Sequence, residues 1–391
     1  MRHLIITNGT VVTDQLIERG TVVTIGGRIM LVAGEEEGRR ILDAAPPQVF
    51  EVVDAEGGYI APGFIDIHMH GCGGAELMDG TREALETMAR FVASTGTVAF
   101  LPSTVTAEEE KTRRVCEAVA SYTDIPDGAE LLGVHLEGPY INAKFKGAQY
   151  GPAIREASIA ELKELYGLLG EKLKLVTLAP EMPGSLDAVE WLTERGVTVS
   201  VGHSDAAYEE AVAGFQRGIT HATHTFNAMR GLHHREPGAV GAVLATPGVY
   251  AELIADLLHV HPGAIKVMLR SVGVEYVVLV TDSMQATGLP DGEYVLGDNK
   301  VFVRDGAARL AEGNLAGSTL TMQRAVKNMV DVVGADLVDV FRMASLNPAR
   351  SIGLSHRGWI KEGYKADFAL LSKDLSVRKT VISGRVVFVA D

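Results

Sequence analysis

"YIAPGFIDIHMH" (residues 59–70) carries two histidines, His68 and His70, at the end of an apolar run that Pro62 and Gly63 interrupt. On a helix, side chains two residues apart leave on different sides. On a strand they leave on the same side. Proline and glycine followed by Phe64, Ile65 and Ile67 argue against a helix and for a short buried strand. Two imidazoles leaving one strand end together suit a metal ion; they would equally serve as polar residues closing the strand.

Working outward, apolar strand-like runs alternate with helix-like stretches from about 60 to 350. Eight such runs stand out: "GFIDIHMH", "GTVAFLPST", "LLGVHLEGPY", "LKLVTLAPE", "VTVSVGHSD", "GITHATHTF", "YAELIADLLHV" and "EYVVLVTDSM". Helical patterns such as "TREALETMARFVASTG" and "SIAELKELYGLLGEKL" lie between them. This alternation predicts an α/β fold with a parallel sheet, and its length suits a (β/α)8 barrel of the TIM type. An open doubly wound sheet is the structural alternative. No Gly-x-Gly-x-x-Gly follows an early strand, so a dinucleotide site has no support.

Both ends of the chain have a different style. Residues 1–58 read as short strands with turns, and Gly26-Gly27 marks a hairpin. "IGGRIMLVAG" (25–34) and "ISGRVVFVAD" (382–391) share one pattern. Such an echo also arises by coincidence, because Gly-Arg turns between apolar runs are common. As a signal it predicts one small β-sandwich domain built from residues 1–58 and 356–391, with the barrel in 59–355.

The 391 residues are 47% hydrophobic and carry a net charge of −14. That is enough chain for a large core, and the charge disfavours nucleic acid and anionic membranes as partners. Two cysteines, Cys72 and Cys116, predict neither a disulfide framework nor a thiolate metal site. The first 20 residues turn polar too early for a secretory segment, and no apolar run reaches transmembrane length. A soluble cytoplasmic protein is the expectation.

In a TIM-type barrel, chemistry gathers at the C-terminal strand ends. Those ends carry His68, His70, Glu137, His203, His224, His259 and Asp282. One such residue would mean little. A whole set is hard to explain by packing, because buried charge is costly unless paired or metal-bound. Imidazoles and carboxylates without thiolates suit zinc, or alternatively iron, manganese or cobalt.

Nine segments in chain order carry a resemblance: "PGFIDIHMHG", "GVHLEGPYIN", "VTLAPE", "VGHSDA", "ATHTFNAM", "HHREPG", "ELIADLLHVHP", "LVTDSM" and "LAGSTLTM". Together they resemble the N-acetylglucosamine-6-phosphate deacetylase family of the amidohydrolase superfamily, and "GWIKEGYKADFALLS" resembles that superfamily's tail. The resemblance implies a cytoplasmic hydrolase, with a homodimer as the expected assembly. The substrate it implies is a phosphorylated N-acetyl amino sugar, with some phosphate contacts crossing the subunit interface. It assigns Glu137, His203 and His224 to the main metal position. His68 and His70 match a second position, Glu137 bridging, so one or two divalent ions per chain are expected. Asp282 matches the general acid/base; its alternative reading from the residues alone is a helix N-cap in "TDSM". Ala148, Gln149, Asn227, Ala228, Arg235, Asp256, His259, Leu315, Ala316 and Gly317 match substrate contacts, Arg235 and His259 those to the phosphate.

Two departures bear on the substrate. Gln149 in "FKGAQ" stands where many members of the family have a histidine that touches substrate. Leu257 stands where glycine is expected, and so would reshape the pocket. Deacetylation of N-acetylgalactosamine 6-phosphate is therefore the neighbouring alternative. A non-catalytic sensor should have lost Asp282 or a metal ligand, and both are present. Of the remaining histidines, His135 reads as core or support, His221 as a strand residue without a chemical role, and His233 and His234 as positioning the Arg235 loop. Residues 288–313 read as a hairpin insertion that either covers the site or is a long loop.

Overall fold

The computed structural model describes residues 3–390. Met1, Arg2 and Asp391, which fall in the predicted end segments, lie outside the described residues. The stretch 59–70 becomes two strands rather than one, Tyr59–Pro62 and Phe64–Met69, which lie in different sheets. Gly63 is the switch between them. A Cβ there would sit 2.2 Å from the Val98 side chain, so the crossing needs a residue without one. Its N–H donates to Asp367 O at 3.1 Å, tying the switch to the C-terminal segment.

Each of the eight apolar runs contains a strand. Val134–Glu137, Leu173–Leu178, Thr198–Val201, His221–Ala222, Tyr250–Ile254 and Val277–Val280 form one parallel sheet in that order. Phe64–Met69, Thr97–Pro102 and Glu130–Leu131 form a second. Ser103 N donates to Met69 O at 2.7 Å and Thr104 N to His135 O at 3.0 Å, while Asp282 N donates to His68 O at 2.9 Å. The last two of these bonds join the strand ends of the two sheets on both sides. The connecting helices include Arg82–Ser94 and Ile159–Leu169, each begun by a hydroxyl cap: Thr81 accepts from Ala84 N and Ser158 from Glu161 N. Helices following parallel strands give an α/β barrel of the TIM type. Along Phe64–Met69 every residue is buried, and Ile65, Ile67 and Met69 join the main apolar core.

The other sheet is mixed and draws on both ends of the chain, in the order Arg385–Val389, Val377–Ile382, Phe368–Leu371, Tyr59–Pro62, His3–Val12, Leu16–Ile25, Arg28–Ala33, with Phe50–Asp54 beside His3–Val12. It has its own apolar cluster, including Leu4, Ile6, Ile29, Ile60, Phe368 and Val381. The two similar turns meet: a Cβ on Gly27 would lie 3.1 Å from Ser383 O. Tyr59–Pro62 belongs here, so the division between sheets falls at Gly63 and not at residue 58. Residues 1–58 are also not strands and turns alone. Glu35–Ala44 is a helix whose first turn holds Glu35, Glu36 and Glu37, charges that complement a helix N-terminus.

The insertion after the eighth strand is a three-stranded meander, Gly292–Leu296, Asn299–Arg304 and Ala307–Arg309. Its first turn is pinned over the barrel mouth. Gly297 N donates to Glu76, Asn299 Nδ2 donates to Ala148 O at 2.8 Å, and Lys111 pairs with Asp298 at 2.8 Å. Burial pushes the Glu76 carboxyl up to about 7, with the Gly297 bond opposing. Among the described residues, no helix is long and apolar enough to cross a membrane.

Gly63→Ala should lower stability by roughly 1–3 kcal/mol, the usual cost of overpacking a tight site. Urea denaturation followed by tryptophan fluorescence measures this; an unchanged midpoint would rule out the tight crossing.

Candidate active site

The barrel mouth gathers its polar side chains by two local devices. Along the first strand, alternation puts Asp66, His68 and His70 on one face and Ile65, Ile67 and Met69 on the other. At three other strand ends the chain enters the left-handed region: His203 (φ 48°), His224 (φ 32°) and Asp282 (φ 49°) each lie two residues past a strand. Such backbone is uncommon for non-glycine residues and is found at functional sites. Glu137 ends its own strand.

These groups converge on Glu137. His203 Nε2 and His224 Nε2 each lie 3.1 Å from Glu137 Oε1, and 3.1 Å from one another. On the other side, His70 Nε2 lies 3.3 Å from Glu137 Oε2 and 3.1 Å from Asp282 Oδ1. His68 Nε2 lies 3.5 Å from Glu137 Oε1 and 3.6 Å from Asp282 Oδ1. Among the described residues, two buried groups have donor spacing for an ion: His68, His70 and Asp282, and Glu137, His203 and His224.

Four observations fit a divalent ion to these residues. Tetrahedral zinc with nitrogen ligands separates its ligands by roughly 3.3 Å, close to the spacing here. His68 Nε2 and Asp282 Oδ1 are buried without hydrogen-bond partners, a state that costs free energy unless something binds them. On three of the four histidines the opposite ring nitrogen is already used: His70 Nδ1 donates to Ser103 O, His203 Nδ1 to Phe145 O, and His68 Nδ1 to Glu252 Oε2. That leaves their Nε2 lone pairs for coordination. The field has the right sign. Burial opposes protonation of His70, yet the adjacent carboxylates of Asp282 and Glu137 raise its pKa to about 9. Burial likewise opposes ionisation of Glu137, but His68, His203 and His224 hold its carboxyl well below the usual range. A pocket that attracts a proton this strongly attracts a cation.

A cavity of about 140 Å³ opens onto this cluster. His70, Glu137, His203, His224 and Asp282 line it, together with Ala148, Gln149, Asn227, Ala228, His259, Leu315 and Gly317. Three expected contacts do not line it. Asp256 instead holds His259, accepting from its Nδ1 at 2.6 Å. Ala316 is buried and donates its N–H to Ala308 O. Arg235 lies on an exposed loop with His233 and His234, its guanidinium against His234 Nε2 at 2.7 Å, so its own chain does not bring it to the cavity. Leu257 does not line the cavity either. Its φ of +68° explains why glycine suits that position, and the leucine bears backbone strain without narrowing the pocket. The meander does cover the site, through Leu296.

Reading the sequence missed the support beneath the cluster. Glu252 is fully buried and accepts from His68 Nδ1 at 2.8 Å and from His224 N at 3.0 Å. His221 Nε2 lies 3.2 Å from its other oxygen, so His221 pairs with the carboxylate that orients His68 and is more than a plain strand residue. The signal was a glutamate inside the apolar run "YAELIADLL", where a charge must have a partner. His135 is core: it bonds Ser103 Oγ and Thr177 Oγ1, and burial with His68 nearby holds its pKa well down.

Residues 59–387 match the model of the Amidohydrolase family. This chain belongs to that family. It is 42% identical over 374 residues, 95% of this chain and 92% of the relative, to the N-acetylglucosamine-6-phosphate deacetylase of Vibrio furnissii. It is 38% identical over 348 residues, 88% of this chain and 92% of the relative, to the N-acetylgalactosamine-6-phosphate deacetylase of Escherichia coli O157:H7. Among solved structures, the N-acetylglucosamine-6-phosphate deacetylase of Pasteurella multocida superposes with a TM-score of 0.91 at 30% identity, covering 98% of this chain and 99% of that one. A mutant Mycobacterium smegmatis enzyme in complex with N-acetyl-D-glucosamine-6-phosphate gives 0.90 at 32% identity, covering 99% and 100%. The segments quoted from this amidohydrolase's sequence thus resemble the family whose members it matches.

Glu252→Ala would leave His68 and His221 buried without their shared acceptor. Removing one partner of such a buried set costs about 3–5 kcal/mol. Chemical denaturation checks this, and a loss below about 1 kcal/mol would show that Glu252 is not the anchor described.

Proposed function

We propose that this amidohydrolase removes the N-acetyl group of N-acetylglucosamine 6-phosphate, releasing acetate and glucosamine 6-phosphate in amino-sugar catabolism. The observation that carries the reading is the pair of donor groups sharing Glu137 on one wall of a small cavity, with Asp282 among them. The Vibrio furnissii and Mycobacterium smegmatis relatives support the substrate. The neighbouring reading, N-acetylgalactosamine 6-phosphate, draws on the Escherichia coli O157:H7 relative. Acetate release from the two purified sugar phosphates decides between them: turnover of the galacto epimer alone would overturn the proposal.

Glu137, His203 and His224 would hold one divalent ion, and His68, His70 and Asp282 a second, with zinc the first expectation. A divalent ion there polarises a carbonyl and makes water more acidic near neutral pH. Asp282 does the proton work. Burial would raise its carboxyl, but the close imidazoles of His70 and His68 hold it below the usual range. It is therefore ionised and can accept a proton from the attacking water at Oδ1 or Oδ2. It then delivers that proton to the amide nitrogen as the C–N bond breaks. Ala148, Asn227, Ala228, Leu315 and Gly317 shape the sugar site, and His259, set by Asp256, faces the phosphate.

The remaining assignments follow from the same reading. The parallel strands of the eight apolar runs form a closed (β/α)8 barrel, and the mixed sheet of the two chain ends folds as a small β-sandwich. The protein works in the cytoplasm as a homodimer. Arg235, outside its own cavity, reaches the phosphate in the partner's site.

Asp282→Asn should lower kcat by roughly 10²–10⁴, the range of general acid–base catalysis, in protein shown to retain its metal. Near-normal kcat in metal-replete mutant would remove Asp282 from this role.

Arg235→Ala should raise KM for the phosphorylated sugar ten- to a hundredfold, about 1.5–3 kcal/mol for a charge-assisted contact. Equal turnover of phosphorylated and unphosphorylated N-acetylglucosamine by the wild type would contradict a phosphate reader.

A further inference from the structure

Gln149 stands where the resemblance leads one to expect a substrate-touching histidine, but its side chain is turned to other work. Its Nε2 donates to Glu137 Oε2 at 2.7 Å, and its Oε1 accepts from Thr106 N at 2.6 Å. The residue is 5% exposed. The two contacts settle which end of the amide is which, since a backbone N–H requires an acceptor and a carboxylate requires a donor. The loop is held as well: Gln149 N donates to Lys146 O, and Ala148 O accepts from Asn299 in the meander.

The consequence falls on Glu137, whose two oxygens serve different neighbours. Oε1 faces His203 and His224 at 3.1 Å, and Oε2 faces His70 at 3.3 Å. A carboxylate free to rotate can turn both oxygens toward one ion. A fixed donor on Oε2 opposes that rotation. We propose that Gln149 is a positioning residue that keeps Glu137 in its bridging orientation, and so sustains the ion at His68, His70 and Asp282. This rests on the two-ion reading above and assigns Gln149 no proton transfer.

The test is metal binding to wild type, Gln149→Leu and Gln149→Glu. Each protein is stripped of metal and titrated with zinc against a chromophoric chelator, with bound zinc counted by mass spectrometry. Wild type should hold two ions. Both variants should keep one ion at unchanged affinity, which also shows that they fold. The second ion should weaken roughly ten- to a hundredfold, as for other groups that orient a ligand. Gln149→Glu keeps an acceptor for Thr106 N, so its loss would trace to the Glu137 contact. Two ions at wild-type affinity in either variant, equal weakening of both ions, or a single ion in wild type would each overturn the inference. The titration contains no sugar. A wild type that binds two ions in this pattern but releases no acetate would sink the proposed function and leave the role of Gln149 standing.

Discussion

A carboxylate buried to 1% exposure and surrounded by four imidazoles is the constraint on which this molecule turns. Burying an isolated charge is among the costliest things a fold can do, so Glu137 is tolerable only with every partner present. Those partners come from three other strand ends, between His68 and His224 in sequence. They meet only when the parallel sheets form in register. A slip of one residue along Phe64–Met69 would turn Ile67 toward the mouth and His68 into the apolar layer. The site and the barrel are therefore specified together.

The interior beneath the site departs from the apolar filling typical of such barrels. Asp66 lies under His68, pushed up to about 6 by burial against the pull of its Thr281 bonds. Glu252 links His68 with His221, and His135 links Ser103 with Thr177. Thr177 continues to Thr223 at 2.6 Å. Asp66, Glu252, His135 and Thr177 each have a partner from another strand, which fixes the orientation of the groups above. The outer faces of the same strands, such as Ile65, Ile67 and Met69, supply the apolar burial that offsets this polar interior and the strained backbone at His203, His224 and Asp282.

The mixed sheet contributes no lining to the cavity, yet the barrel is anchored to it. Pro62 and Gly63 pass the chain from one sheet to the other, and Arg357 joins Glu130 at 2.9 Å and Asp367 at 3.0 Å across the two units. At the opposite end, the turn at Gly297–Asn299 rests on Glu76, Lys111 and Ala148. The Ala148 contact is one residue from Gln149, so an insertion far along the chain steadies the group that touches Glu137.

Residue pattern alone located the eight strand-bearing runs and placed His68, His70, Glu137, His203, His224 and Asp282 at strand ends. Alternation is local, and a barrel converts strand order directly into position around a mouth. Other features needed the tertiary structure. Glu252 and His221 carry meaning only as a pair with His68, and no spacing rule links residue 68 to residue 252. The helix Glu35–Ala44 packs Gly38 against Thr21, a contact invisible in a segment otherwise read as strands. Arg235 sat in a matching motif, but its exposed loop does not close on its own cavity. Gln149 looked like a substitution in a substrate contact. Its two bonds, to Glu137 and Thr106, join strand ends that meet only in the folded barrel.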